Sequence, residues 1–263
     1  MLGSRLVTIV LGTGYRFSNP EARDLVSRFT PLPDARKARI DAVFTGLKTS
    51  GILAVTDVLK INAAHDAEAA QQNWVANRYH STWINAPQFS TDVGVTGDGA
   101  TIWYDNNFNP ATAEAPNFTR NSASHFIWST TNSNNAGGSS GDAGSLSTQI
   151  SRQAAVSGQA LGRANTGVGI LIGPGAYPGM CGWSRTGASV WESYGQGADI
   201  GGGTDASVDP TNATMRGLSV NSALWGVNTL EAQFIGGGLA AGQVAALAAV
   251  VAAYRSNLHA DFD

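Results

Sequence analysis

The chain has 263 residues, 32 of them glycine, and only 13% are charged, about half the share of a typical soluble domain. Its net charge of −3 comes from 16 basic and 19 acidic residues with no basic run, which gives nucleic-acid binding no electrostatic footing. The single cysteine, Cys181, excludes an intramolecular disulfide and a cysteine-rich metal site.

No stretch reaches the roughly 18 apolar residues that mark a membrane span. Sparse charge, abundant glycine and runs such as NSASHFIWSTTNSNNAGGSSGDAGS suit an all-β extracellular or virion protein. Cys181 reads as a small buried hydrophobe.

The start, MLGSRLVTIVLGTG, lacks the length and cleavage site of a signal peptide. Its LVTIVL run is β-branched and reads as a strand. That strand belongs either to the main sheet or to a sheet edge, its own or a partner's. Asn19-Pro20-Glu21 is a helix start, with a capping Asn and Pro at the first helical position. Pro31 and Pro33 end that helix. From Asp34, the residues Ile40, Val43, Phe44 and Leu47 recur at helical spacing up to Gly51. ILAVTDVLKI reads as a third, shorter helix. In HDAEAAQQNW, His65 or Asp66 caps a short helix and Trp74 anchors it. A metal reading of His65, Asp66 and Glu68 has only one local turn behind it.

Beyond Trp74 the pattern changes to short strands and turns. Gly97-Asp98-Gly99 is a tight turn between two extended runs. Trp103 and Tyr104 alternate, so one aromatic faces in and the other out. SHFIWSTT, STQISRQAAV, TGVGILIG, CGWSRTGASVWESY, RGLSVN and LEAQFIGG are further strands. In SHFIWSTT the inward set is Phe126 with Trp128, or His125 with Ile127. Strands and turns at this spacing indicate a sandwich or jelly roll. The Asn/Ser/Gly run between Trp128 and Ser147 reads as a long surface loop. The last element, GGLAAGQVAALAAVVAAYRSNL, is an Ala-rich helix. Its apolar stripe is Leu239, Val244, Leu247, Val250, Val251 and Tyr254. The expected organisation is a strand or attachment segment over 1–19, a helical subdomain over 20–73 packed on the sandwich, and a β-sandwich with a closing helix over 74–263.

No nucleotide, zinc-protease or serine-hydrolase motif is present. Glu192, between Trp191 and Tyr194, superficially resembles a glycosidase cleft. Asp199, Asp205 and Asp209 share a Gly-rich loop, read either as a solvated turn or as calcium ligands. Aromatic faces stack on sugar rings while nearby amides bond the hydroxyls. Trp183, Trp191, Tyr194 and Trp225 are the candidates for such contact.

Several motifs act in combination: AAHDAEAAQQNW from Ala63, the GDGA turn at Gly97, the F-N-P at Phe108, S-R-T-G at Ser184 to Gly187, and G-x-L-x-A-x-Q-V-A-A-L from Gly237. Together they resemble a family of structural proteins of tailed phages, prophages and gene transfer agents. The resemblance covers most of Pro20 to Asn257. It implies a mainly β, concanavalin A-like (LamG-like) jelly roll on a virion surface, in a tail fibre, tail tip or head spike, made in the bacterial cytoplasm. The expected role is non-enzymatic contact with host surface polysaccharide. The alternatives are a purely structural decoration or connector protein and, less favoured, a capsule-degrading glycosidase. Expected partners are other virion proteins, through residues 1–19, and copies of the same chain as a trimer or pentamer. No cofactor and no metal are expected.

Overall fold

The computed structural model describes residues 14–131, 139–144, 148–152, 159–167, 169–174, 178–221, 224–256 and 258. The LVTIVL strand expected at the start lies outside them. Helices α1 (Pro20–Val26) and α2 (Asp34–Thr49) come first. Pro20 opens α1 as expected, but the Asn19 side chain does not cap it. Asn19 Nδ2 instead donates to the Asp41 carboxylate at 2.8 Å and to Thr45 Oγ1 at 2.9 Å, tying α1 to α2.

ILAVTDVLKI corrects the sequence reading. One 3-10 turn, Leu53–Val55, leads into strand β1 (Thr56–Ile61), which is buried at every position. A strand covered on both faces has no alternation, so periodicity cannot separate it from a short helix. Asp66 then caps α3 (Ala67–Gln71), accepting from Ala69 N at 2.7 Å. Trp74 is buried with its ring edge-on to Tyr254, centroids 5.2 Å apart.

Four short strands follow: β2 (Thr82–Ile84), β3 (Gln88–Ser90), β4 (Gly94–Thr96) and β5 (Trp103–Asp105). Next come β6 (Ala123–Ser129), β7 (Ser140–Asp142), β8 (Thr148–Arg152), β9 (Gln159–Ala164) and β10 (Ile170–Pro174). The hairpin strands β11 (Gly179–Gly187), β12 (Val190–Gly195) and β13 (Ala198–Gly203) are followed by β14 (Met215–Gly217), β15 (Ser219–Val220), β16 (Leu224–Trp225) and β17 (Thr229–Gly236). Helix α4 (Ala241–Ser256) closes the chain. The run expected as one surface loop between Trp128 and Ser147 thus contains the buried strand β7.

Two large antiparallel sheets form, and β15 with β16 makes a separate two-stranded one. The first runs β13-β12-β11-β6-β17-β4-β3, with β1 also on β17. The second runs β10-β9-β8-β7-β14-β5-β2. The Gly97–Gly99 turn is therefore not a hairpin tip, because it carries the chain from β4 in one sheet to β5 in the other. The result is the mainly β sandwich expected, with N-terminal helices and a C-terminal helix.

The three longer helices cover the outer face of the first sheet. Phe44, Leu47, Val244 and Leu247 pack with Phe126, Trp128 and Phe234. Gly46 lets α4 approach closely, since a Cβ there would lie 2.4 Å from Val250 Cγ2. The other face of the same strands, with Ile127, Ile235 and Trp183, meets Ile150, Met215 and Tyr104 between the sheets. Both proposed inward sets of β6 are therefore buried, each against a different layer.

A polar seam crosses the inter-sheet core. His125 Nε2 lies 2.8 Å from Ser140 Oγ, and Gln233 Nε2 donates to that hydroxyl at 2.6 Å. Tyr104 Oη and Asn106 Nδ2 both donate to Gln233 Oε1. Complete burial pushes the His125 pKa down to about 3, so the ring is neutral.

Candidate functional site

The motifs of the sequence analysis turn out to be joints of the fold. In S-R-T-G, Ser184 Oγ donates to Leu239 O at 2.7 Å, fixing the approach to α4. Arg185 is fully buried and donates to four main-chain carbonyls, those of Ala164, Gly187, Ala188 and Asp205. Asn73 bonds β1 at Leu59 N and Asp57 O. Phe108 of F-N-P is buried between the sheets.

Three of the four aromatics proposed for ligand contact are packing residues. Trp183 is fully buried between the sheets, with Nε1 donating to Gln149 O at 3.3 Å. Trp191 is 6% exposed. Its ring lies over Gly203, where a Cβ would come within 2.5 Å, and its Nε1 donates to Asp205 Oδ2. Tyr194 is buried on the helix side, edge-on to Phe126 and hydrogen-bonded to Glu192. Trp183 and Tyr194 lie on opposite faces of the first sheet, so the structure does not gather them. Only Trp225, on β16, is half-exposed.

The surroundings of Trp225 define the candidate surface. Its strand is held to the Gly97–Ile102 turn, with Gly99 N donating to Gly226 O at 3.2 Å. Asp98 builds that turn. Its Oδ1 accepts from the amides of Ala100, Thr101 and Ile102, and Oδ2 accepts from Thr101 Oγ1. These bonds, that from Thr101 N foremost, hold its carboxyl well below the usual range. Asn85 Nδ2 braces the turn from β2, donating to Thr101 O at 3.0 Å.

The turn feeds β5. Tyr104 points inward and is fully buried, so Trp103 and Asp105 point out. Arg216 lies directly opposite Asp105 on β14, and its guanidinium stacks 3.8 Å from the Trp103 ring centroid. Asp105 is fixed by Thr214 Oγ1 at 2.6 Å and by Asn107 N at 2.7 Å. Asn107 Nδ2 reaches Thr82 Oγ1 on β2. Arg216 loses basicity chiefly through burial, against the pull of Asp105 and Asp142. The outer face of the second sheet thus presents a stacked cation and indole, a fixed carboxylate and several amides and hydroxyls, and the Asp98 turn joins its strand β5 to the segment carrying the half-open Trp225. That set offers apolar faces to carbon–hydrogen bonds and both donors and acceptors to hydroxyls. The alternation of Trp103 with Tyr104 signalled one outward aromatic. Nothing in the sequence placed Arg216 on it, because the partner is 113 residues away.

The other candidate groups do not converge. Asp199 accepts from Gly201 N, Asp205 from Trp191, and Asp209 lies 3.6 Å from Arg120. Among the described residues no group of three or more His, Cys, Asp or Glu is placed to hold a metal ion, and the set His65, Asp66 and Glu68 is not an exception. Glu192 and Glu231 sit on β12 and β17, with β11 and β6 between them. Three strand spacings alone separate them by about 14 Å, and the register sets Glu192 level with Gly236, five residues along β17 from Glu231, so they lie beyond the separations of paired glycosidase carboxylates. No described helix is long and apolar enough to cross a membrane.

No family model matches the chain, and no curated protein does. Solved structures do. The binding domain of Paraclostridial Mosquitocidal Protein 1 matches with a TM-score of 0.51 at 9% identity, over 74% of this chain and 52% of that one. The botulinum neurotoxin serotype D binding domain gives 0.49 at 9%, over 76% and 52%. Domain 4 of AbnA, a GH43 extracellular arabinanase from Geobacillus stearothermophilus, in complex with arabinotriose, gives 0.48 at 13%, over 73% and 100%. This chain spans about half the length of the two toxin domains. The protein is a β-sandwich, a fold it shares with the binding domain of Paraclostridial Mosquitocidal Protein 1.

Proposed function

We propose that this protein is a non-enzymatic adhesin on the surface of a virion or phage-like particle, in a tail fibre, tail tip or head spike. It contacts host surface polysaccharide through the outer face of its second sheet. The observation that carries this reading is the Trp103–Arg216 stack on a face that no described helix covers, joined through the Asp98 turn to the segment carrying the half-open Trp225. The sequence resemblance to tailed-phage and gene-transfer-agent proteins supports the particle setting. Copies repeated on a particle convert weak sugar contacts into avidity. The wide separation of Glu192 and Glu231 supports binding rather than hydrolysis.

A glycan array probed with the full chain and with Trp225→Ala tests this. The wild type binds a subset of bacterial polysaccharides, and the variant loses that binding while unfolding at the same temperature. An array on which wild type and variant behave alike contradicts the reading. A connector role is the second reading. It is favoured by the outward face of α4, where Ala245, Ala249, Ala252 and Ala253 are all exposed. Particles that fail to assemble without a protein that binds no glycan would support it.

A further inference from the structure

Strand β13 forms one edge of the first sheet. It is exposed at its first five positions and half-exposed at Gly203, and its one large apolar side chain, Ile200, is 39% exposed. An edge strand turns the N–H and C=O of alternate residues away from its own sheet, which makes it a template for another strand. The other described edges are poor templates. β2 and β3 have three residues each, β10 ends on Pro174, and β1 is buried throughout. β13 has six residues and none of the Pro, Lys or Arg that commonly guard an edge.

The middle of this edge is closed by the chain's own side chains. Asp199 Oδ1 accepts from Gly201 N at 2.8 Å, and Ser193 Oγ on β12 donates to Gly201 O at 2.7 Å. The ladder shifts at the same place. Tyr194 pairs with Asp199 and Ser193 with Gly201, which leaves Ile200 as an extra, bulged residue. Gly201 itself has φ of 134°, a conformation that favours glycine. Bulk does not bar approach, since a Cβ at Gly201 would meet nothing within 4 Å.

We propose that β13 is a self-pairing edge held shut by Asp199. Breaking the Asp199–Gly201 bond releases the Gly201 amide and unbraces the bulge, and β13 then pairs antiparallel with β13 of a second copy. A two-fold axis at Gly201 sets Ile200 against Gly202 of the second copy, and Asp199 against its Gly203. The one large side chain thus meets a residue without any. The two Asp199 positions lie about 14 Å apart along the strands, beyond the Debye length at physiological salt. The hydrogen bond, and not charge repulsion, is therefore what keeps the edge shut. Wherever copies are crowded, this latch stops them from joining sheet to sheet.

Size-exclusion chromatography with light scattering, run on the full chain over a dilution series, tests this. Asp199→Ala removes the acceptor and doubles the wild-type mass at high protein concentration. Dilution returns it to the wild-type mass, because six paired residues per copy make a small interface. Asp199→Asn keeps Oδ1 as an acceptor and stays at the wild-type mass. Ile200→Lys added to Asp199→Ala puts a guard charge on the edge and also restores the wild-type mass. In dilute samples the Gly201 amide exchanges with solvent faster in Asp199→Ala than in the wild type. Asp199→Ala at the wild-type mass at every concentration would overturn the proposal. Doubling in Asp199→Asn or in the double variant, or association that dilution does not reverse, would overturn it too. No glycan enters these measurements, so their failure and that of the adhesin reading are told apart.

Discussion

Helices α1, α2 and α4 roof the outer face of the first sheet, whereas no described helix covers the outer face of the second sheet at β5 and β14. The consequence is visible in burial. Every residue of β1, β6 and β17 is buried, because these strands have protein on both faces. In β5 the burial alternates, with Tyr104 inside and Trp103 and Asp105 half-exposed. The central strands of the first sheet are covered on both faces, and β7 of the second sheet is buried throughout as well, so the half-exposed side chains of the second sheet named here lie on β5 and at Arg216 of β14. Side chains of one type take different roles: Trp183 of β11 is a fully buried core ring, and Trp225, on the separate β15–β16 pair, is half-exposed.

Acid titration breaks the inter-sheet core from within. The His125 pKa falls from about 6.5 in the unfolded chain to about 3 in the fold. Between those values the unfolded state binds the extra proton, so stability rises with pH. The contribution is complete above about pH 6.5 and is lost as pH falls toward 3, amounting to as much as about 5 kcal/mol. Chemical denaturation at stepped pH reads this. A His125→Gln variant whose stability follows the wild-type pH curve would remove His125 as the cause.

A pair of truncations sharpens the contrast between the faces. Phe126 is fully buried against Tyr194 and Phe234, and Phe126→Ala should cost about 3–5 kcal/mol in urea unfolding. Arg216→Ala, on the open face, should cost about 1 kcal/mol, the loss of one stacked cation. Equal costs would mean that the open face is as tightly packed as the roofed one.

How much of this was legible in the sequence follows from the same contrast. The open-faced strand gave itself away through alternation, and α2 and α4 through apolar stripes. Asp66 capping α3 and Trp74 anchoring it were readable from local spacing. The β1 strand was not, since TDVLKI is covered on both faces and contains Lys60, an amine that is itself fully buried. Lys60 Nζ is satisfied by the carbonyls of Gln71 and Tyr79, partners that only the fold supplies. In the sequence Trp183, Trp191 and Tyr194 read as contact residues because aromatic residues beside polar ones look the same in a core strand and on a rim. Their burial depends on which layer covers each face. The Trp103–Arg216 stack joins residues distant along the chain, and no local pattern announces it.

The most direct measurement is hydroxyl-radical footprinting of the full chain with and without a polysaccharide that it binds. The account predicts that ligand lowers oxidation of Trp225 and Trp103, while α4 and its flanking side chains label at the same rate as before. Protection confined to the helix-covered side, with Trp225 oxidised equally in both samples, would contradict it.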